Sequence, residues 1–438
     1  MNKIATSTIS KLNHNGCGIT HLDGKVVFVE EALPGEVVSW EQTKHLAKFD
    51  RARLIKVISA ALERVAPPCK HYAECGGCSL QHLALAKQIA FKQDVVAELL
   101  AHQLKLNASE LPFETPIVGR GLGYRRKARL GVKYLKNKNR LIIGFHEKRG
   151  RYLADLTSCP VLEPAIGTKL EALRALLSSL SIYDAICQLE VAVTPPEAAV
   201  VIRNLKPLND EDEAKLAKAS KDLQLQFYIQ SGGLDTVQPL LGADSYLSYT
   251  LGAIRLFFKP TSFVQINALV NEQLVAKVLA WLDVQVGETI IDFYCGMGNF
   301  SLPIAKLKAH VAGFEGEEGA VATAKYNASF NHLESLASFK VMDLNQPDLS
   351  ALQTLIKTKK VNKIVLDPPR TGALALLTEL NNLNLSFKKI IYVSCNPSTL
   401  ARDCACLVAK GYVVQRLLVA DMYPHTAHVE TVVELVHD

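Results

Sequence analysis

The stretch "ETIIDFYCGMGNF", residues 288–300, decides how the C-terminal part of this chain folds. An apolar strand-like run passes straight into Gly296 and Gly298, and small residues after a strand let the backbone approach a ligand, as in nucleotide-binding βα turns. A lone G-x-G is weak, but the surrounding pattern strengthens it. From residue 263 onward, strand-like segments ("AHVAGFEG", "SFKVMDL", "KIVLDPPR", "KKIIYVSCNP") alternate with helix-like ones ("NALVNEQLVAKVLAWLDV", "EEGAVATAKYNASFN"), and "GYVVQRLLVADMYPHTAHVETVVELV" reads as a terminal hairpin. That alternation predicts an α/β, Rossmann-like parallel sheet. The third glycine of a dinucleotide site is lacking, with Asn299 following Gly298 at once, which favours S-adenosylmethionine, with no pyrophosphate to cradle, over NAD. Glu315, ending the next strand, stands where a ribose-hydroxyl acceptor belongs. Asp343, ending a third, is placed to meet the adenine.

Two further strands end at the ligand edge of such a sheet. "LDPPR", residues 366–370, holds Asp367 on a proline-stiffened turn, facing the methyl donor or a target base. "YVSCNPSTLARD", residues 392–403, ends a strand at Cys395. A thiolate there has a specific use. C5 of uracil is a poor nucleophile, and addition of sulfur at C6 turns C5 into an enolate-like carbon able to accept a methyl group. A general base must then remove the C5 proton so that sulfur can leave. An ordinary thiol titrates near 8.5, so the site is expected either to lower Cys395 or to deprotonate it on binding. Glu430, in "HTAHVETVVEL", is the candidate base, with Glu434 as its competitor.

The first half reads differently. Residues 1–61 carry short strands punctuated by Asp23-Gly24 and Pro34-Gly35, predicting a small OB-like β-barrel, and G-x-G-I-x-x-x-D-G-K-x-V-F-V…A-L-P-G-E resembles the TRAM domain. Cys69, Cys75 and Cys78 follow in a Gly-Gly loop, with Cys159 before a proline. Four such thiols suit tetrahedral zinc or a [4Fe–4S] cluster, and spacing does not separate the two. Residues 80–105 predict an amphipathic helix, and residues 112–262 a mainly β region with two helical insertions. Within it, residues 120–151 hold twelve Lys or Arg against one acid, Glu147, although the whole chain carries only +6. Tyr124, Tyr134, Phe145 and Tyr152 interleave with these cations, predicting a face for RNA phosphates and bases. No apolar run reaches the roughly 18 residues of a membrane span, and the N-terminus lacks a signal-peptide core. A cytoplasmic location follows as the expectation.

Taken together, "FVQIN", "DFYCGMGNFSLPIA", "LDPPR", "SCNPSTLARD" and "HVETVVEL" resemble the motifs of the RNA uracil-C5-methyltransferase family. The barrel and the four cysteines are similar to its 23S rRNA-directed branch. The resemblance implies that Gln265, Tyr294, Asn299, Glu315, Asp343 and Asp367 bind S-adenosylmethionine. It also implies that Cys395 is the nucleophile, that Glu430 is the base, and that Cys69, Cys75, Cys78 and Cys159 hold a [4Fe–4S] cluster. The resulting expectation is a multidomain enzyme: a TRAM-like barrel (1–61), an iron–sulfur and basic β domain (62–262) and a class I methyltransferase domain (263–438). It would act on 23S rRNA as a monomer. The same chemistry on another rRNA site or on tRNA, and a non-catalytic RNA-binding protein, are the alternatives.

Overall fold

The computed structural model describes residues 3–240, 246–383 and 385–437. The N-terminal strands β1 (Ile4–Thr8), β2 (Lys11–Leu12), β3 (Gly18–Leu22), β4 (Lys25–Glu30), β5 (Val37–His45) and β6 (Phe49–Ser59) form one sheet in the order β1-β5-β6-β4-β3-β2. β1 and β2 lie at opposite edges yet are joined by only Ile9 and Ser10, so the sheet rolls up. Ile9 N–H donates to Glu36 O and Ser10 N–H to Ile19 O across the closure. Val27, Val29, Val38 and Trp40 fill the interior. The Asp23-Gly24 turn joins β3 to β4 as the sequence predicts.

Helix α1 (Leu85–Leu104) comes next. The central sheet follows: β7 (Lys127–Leu135), β8 (Arg140–Gly144), α2 (Pro164–Gly167), α3 (Leu170–Ser178), β9 (Ile186–Thr194), β10 (Glu197–Asn204), α4 (Asp210–Leu223), β11 (Gln226–Gln230) and β12 (Val237–Pro239). Its strand order is β12-β11-β10-β9-β7-β8, with α3 and α4 contributing Leu170, Leu173, Leu177 and Leu216 to its core. A hairpin of β13 (Leu247–Leu251) and β14 (Ile254–Phe258) leads into the last third.

There α5 (Ala268–Leu282) precedes a seven-stranded sheet. Its elements are β15 (Thr289–Phe293), α6 (Ser301–Lys306), β16 (His310–Glu315), α7 (Glu318–Phe330), β17 (Ala337–Val341), α8 (Leu349–Lys359), β18 (Lys363–Leu366), α9 (Leu374–Asn382), β19 (Lys389–Ser394), α10 (Pro397–Val408), β20 (Val413–Ala420) and β21 (Glu430–Val436). The order β17-β16-β15-β18-β19-β21-β20 reverses direction between β15 and β18, and ligands of open α/β sheets bind at that switch point. The strand ends carrying the candidate residues therefore converge on one edge. Helices α6, α8, α9 and α10 add to the elements expected from sequence.

Apolar clusters cover both faces of this sheet. One of them includes α1, whose Val96 and Leu100 are fully buried with Leu400 and Leu417. The segment after α1 also lines the sheet, with bridges from Phe113 to Leu417 and from Ile117 to Ala420. Residues 85–117 thus complete the C-terminal core although a long stretch of chain intervenes. Leu100→Ala should destabilise that core by about 2–5 kcal/mol, read from denaturant unfolding followed by a probe in the C-terminal sheet.

Candidate active site

The reactive edge is set by register. β21 runs antiparallel to β19 with Thr431 opposite Ser394, so the next step sets Glu430 across from Cys395. The chain beyond Cys395 does not merely turn. Asn396 caps α10 by accepting a hydrogen bond from Ser398 N–H, and Pro397 occupies the first turn, where its missing N–H costs nothing. Asn396 Nδ2 also donates to Arg370 O at 2.8 Å, and Arg402 to Thr371 O at 2.9 Å, tying the cysteine loop to the "DPPR" loop. Asp403, fully buried, accepts from Tyr392 and from Ala373 N–H.

The electrostatics of this edge are those of a crowded, half-dry acidic pocket. Burial, reinforced by Asp292 and Glu315, raises Asp367 to about 7. Burial raises Asp292 to about 7 as well, although Ser301 hydrogen-bonds it. Glu430 is pushed well above the ordinary carboxylate range by burial and by Asp367, against a hydrogen bond from Tyr423. Cys395 rises to about 11, first through burial and then through Glu430 and Asp367, with Arg370 opposing. The thiol is thus raised rather than lowered, which leaves deprotonation on binding as the route to a thiolate. Such a pocket favours an incoming cation, and a positively charged ligand beside Asp367 would lower Cys395 as well.

The other expected ligand residues surround the switch point. Gln265 donates to Asp367 at 3.5 Å. Glu315 accepts from Gly296 N–H at 3.1 Å and from Glu317 N–H at 3.0 Å, with Gly298 at a φ of +97° in the same turn. Tyr294, at a φ of +62°, opens that turn. Asn299 is held in place by Asn271, through two bonds of 2.9 and 3.1 Å, and by Tyr249. Asp343 lies just beyond β17 rather than within it. It is exposed, accepts from Asn345 N–H, and lines a cavity with Met342 and Gln346. Glu434, the competitor of Glu430, is committed elsewhere: it is buried between Lys389 at 2.8 Å and Arg416 at 2.6 Å. Sequence reading passed over Tyr423, Asn271 and Tyr249, which reach the site only through tertiary contacts.

Cys69, Cys75, Cys78 and Cys159 all line one cavity, together with Tyr72, Gln81, Arg125 and Phe145. All four are free thiols. Cys75 accepts from Gly77 N–H at 3.4 Å, and a Cβ at Gly76 would lie 2.8 Å from His146 O, so the loop requires glycine there. Burial raises Cys75, Cys78 (to about 12) and Cys159, and the neighbouring thiols add to the effect. Among the described residues, no three His, Cys, Asp or Glu side chains are grouped to hold a single metal ion.

The basic segment is less free than its composition suggests. Lys127 and Arg129 pair with Glu190, Arg140 with Asp155, Lys148 with Glu31 and Arg149 with Glu30, the last two docking the barrel. Arg126 is buried, donating to Gln265 O at 2.7 Å. Arg120, Lys133, Lys136, Lys138 and Arg151 remain exposed. Of the four aromatics expected to stack on RNA, only Tyr152 is well exposed, at 63%. Tyr124 is buried and donates to Pro424 O, Tyr134 meets Tyr183 edge-on, and Phe145 lines the thiol cavity.

A raised thiol has a kinetic signature. Alkylation of Cys395 by iodoacetamide, followed by peptide mass spectrometry, should accelerate about tenfold per pH unit from pH 7 to near 10 without a plateau. Glu430→Gln removes a charge that raises the thiol, so at pH 9 this variant should react faster than the parent.

Residues 84–438 match the family described as tRNA (Uracil-5-)-methyltransferase. The chain is 44% identical, over 97% of its length and 94% of the relative's, to the 23S rRNA (uracil(1939)-C(5))-methyltransferase RlmD of Nitrosococcus oceani. It is 42% identical to the protein of the same name from Aromatoleum aromaticum, over 97% of this chain and 98% of that one. Among solved structures, the Pyrococcus abyssi tRNA (uracil-54, C5)-methyltransferase in complex with S-adenosyl-L-homocysteine superposes with a TM-score of 0.74 at 24% identity, covering 99% of this chain and 100% of that chain, which shows a shared fold. The motifs at the switch point and the full-length likeness agree: this chain belongs to the tRNA (uracil-5-)-methyltransferase family.

Proposed function

We propose that the protein is an S-adenosylmethionine-dependent methyltransferase that forms 5-methyluridine in 23S rRNA. The observation that carries this reading is the register that sets Cys395 across from Glu430, at the same sheet edge as Asp367. The choice of 23S rRNA rests on full-length relatives that bear that name. S-adenosylmethionine, when bound, supplies an electrophilic methyl group on a cationic sulfur.

The chain's own residues do the rest. Glu315, at the end of β16, accepts from ribose hydroxyls in this reading. Gln265, Tyr294, Asn299 and Asp343 complete the cofactor-binding set, and Asp367 offsets positive charge near the reacting atoms. Cys395 gives up its thiol proton to solvent on ligand binding and its sulfur bonds to C6 of the uracil; the C5–C6 π pair moves to C5, which takes the methyl group as the donor departs as a neutral thioether. Glu430 removes the C5 proton, and the returning electron pair re-forms the C5–C6 double bond as sulfur leaves. A carboxylate with a raised proton affinity is a better base for that step than a free glutamate. Turning the target base out of the RNA costs a few kcal/mol. The barrel (1–61), the region 62–262 and its unpaired cations provide contacts that offset this cost, and residues 263–438 carry the chemistry. No helix among the described residues is long and apolar enough to cross a membrane; the protein is read as a cytoplasmic monomer.

Cys69, Cys75, Cys78 and Cys159 fit a [4Fe–4S] cluster. All four thiols line one cavity, and such a cluster, if bound there, would be held by these four sulfurs as thiolates. Its expected role is to fix the loops around the basic segment.

Cys395→Ala should abolish transfer of labelled methyl groups to a 23S rRNA transcript, by about a thousandfold or more; unchanged methylation would refute the covalent mechanism, and preferential labelling of tRNA would reassign the substrate. Protein purified without air should be brown and lose colour on oxidation, and Cys78→Ala should purify colourless. Stoichiometric zinc in a colourless wild-type protein would reverse the cluster assignment.

A further inference from the structure

Glu430 begins β21 and pairs with Ala420, the last residue of β20. The loop between them, residues 421–429, leaves the catalytic edge and returns to it. Its first residues are held by an ion pair that is almost completely buried. Lys92 Nζ, from α1, donates to Asp421 Oδ1 at 2.6 Å and to Tyr423 O at 2.9 Å, with side-chain exposures of 0% for the lysine and 4% for the aspartate. Asp421 N–H donates to Ile117 O at 2.8 Å. The apex is tied as closely. Gln88 accepts from His425 N–H at 2.7 Å, Ser79 and Leu80 N–H both donate to His425 O at 2.9 Å, and Tyr124 donates to Pro424 O.

A dry ion pair is a weak source of stability, because dehydrating two charges roughly cancels their attraction, and apolar residues of similar volume often replace such a pair without loss. What the pair does provide is direction. Lys92 fixes the backbone of Tyr423, whose side chain hydrogen-bonds Glu430, and it fixes the end of the strand that pairs with Glu430. We propose that Lys92 and Asp421 are positioning residues for Glu430, acting on the proton-abstraction step that releases RNA from Cys395.

This inference rests on the covalent mechanism above, and the chemistry gives it a distinctive signature. A misplaced base leaves sulfur addition and methyl transfer intact. The C5 proton then stays, the C6–S bond cannot break, and methylated RNA remains attached to the protein. Displacement of a catalytic group by about 1 Å costs on the order of 100-fold. The Lys92→Met/Asp421→Leu variant should therefore unfold at a midpoint close to that of the parent. Its turnover should fall about 10- to 100-fold, and it should retain labelled RNA as a band stable to denaturing gel electrophoresis. Glu430→Gln run in parallel should retain it more completely. If the double variant is insoluble, Asp421→Asn, which keeps shape while losing charge, replaces it and should retain more RNA than the parent.

Parent-like turnover with no retained RNA in the soluble variant would overturn the positioning role, provided Glu430→Gln does trap the complex. If Glu430→Gln traps nothing, the assignment of the base fails and this inference fails with it.

Discussion

The pairing of β21 with β19 is the constraint on which the site depends. β21 runs antiparallel to both its neighbours, β19 and β20, so a residue at the start of β21 comes to the same edge as the residue just past β19. A slip of one residue would turn every side chain of β21 to the other face of the sheet. Glu434 shows what holds the register, since it is buried between Lys389 on one neighbouring strand and Arg416 on the other. The two carboxylates of the same strand thus divide the work: one is neutralised by cations and fixes the strand, and the other is left in an acidic pocket with a raised proton affinity.

That acidic pocket accounts for an order of events. Without ligands, Cys395, Glu430 and Asp367 oppose each other's ionisation. A cationic methyl donor relieves this repulsion and favours the thiolate when both substrates are in place. The neutral sulfur of the spent donor loses the attraction, which favours its release. A thiol held near 11 until then is also protected from adventitious oxidation, because the thiolate is the reactive form.

The N-terminal half reaches this edge by direct contact. The loop that follows Cys78 donates two backbone N–H groups to His425, the basic segment contributes Tyr124 to Pro424, and α1 contributes Lys92 and Gln88. The region expected to bind RNA is therefore packed against the loop that carries Tyr423 and leads to Glu430. The parts of this structure that were legible in sequence are those with local signals: the strand–glycine turn at 293–298, the Asp23-Gly24 hairpin and the edge positions of Asp367 and Cys395. The parts that were not legible depend on distant partners. Asn396-Pro397 serves equally as a turn or as the start of a helix; in the fold Asn396 caps α10 through Ser398 N–H and also donates to the distant Arg370 O. The run of cations looked like a free RNA surface because Glu190, Asp155, Glu31 and Glu30, which neutralise part of it, lie outside the segment. Burial of α1 against the C-terminal sheet left no trace in its own periodicity beyond an apolar face.

The central claim is a covalent bond between Cys395 and the target base, and 23S rRNA containing 5-fluorouridine tests it most directly. Fluorine at C5 cannot be removed as a proton, so after methyl transfer the adduct persists. In the presence of S-adenosylmethionine, mass spectrometry of the digested complex should find the methylated fluorouridine attached to the peptide that contains Cys395. An adduct on another residue, or fully active enzyme with no adduct at all, would contradict the account.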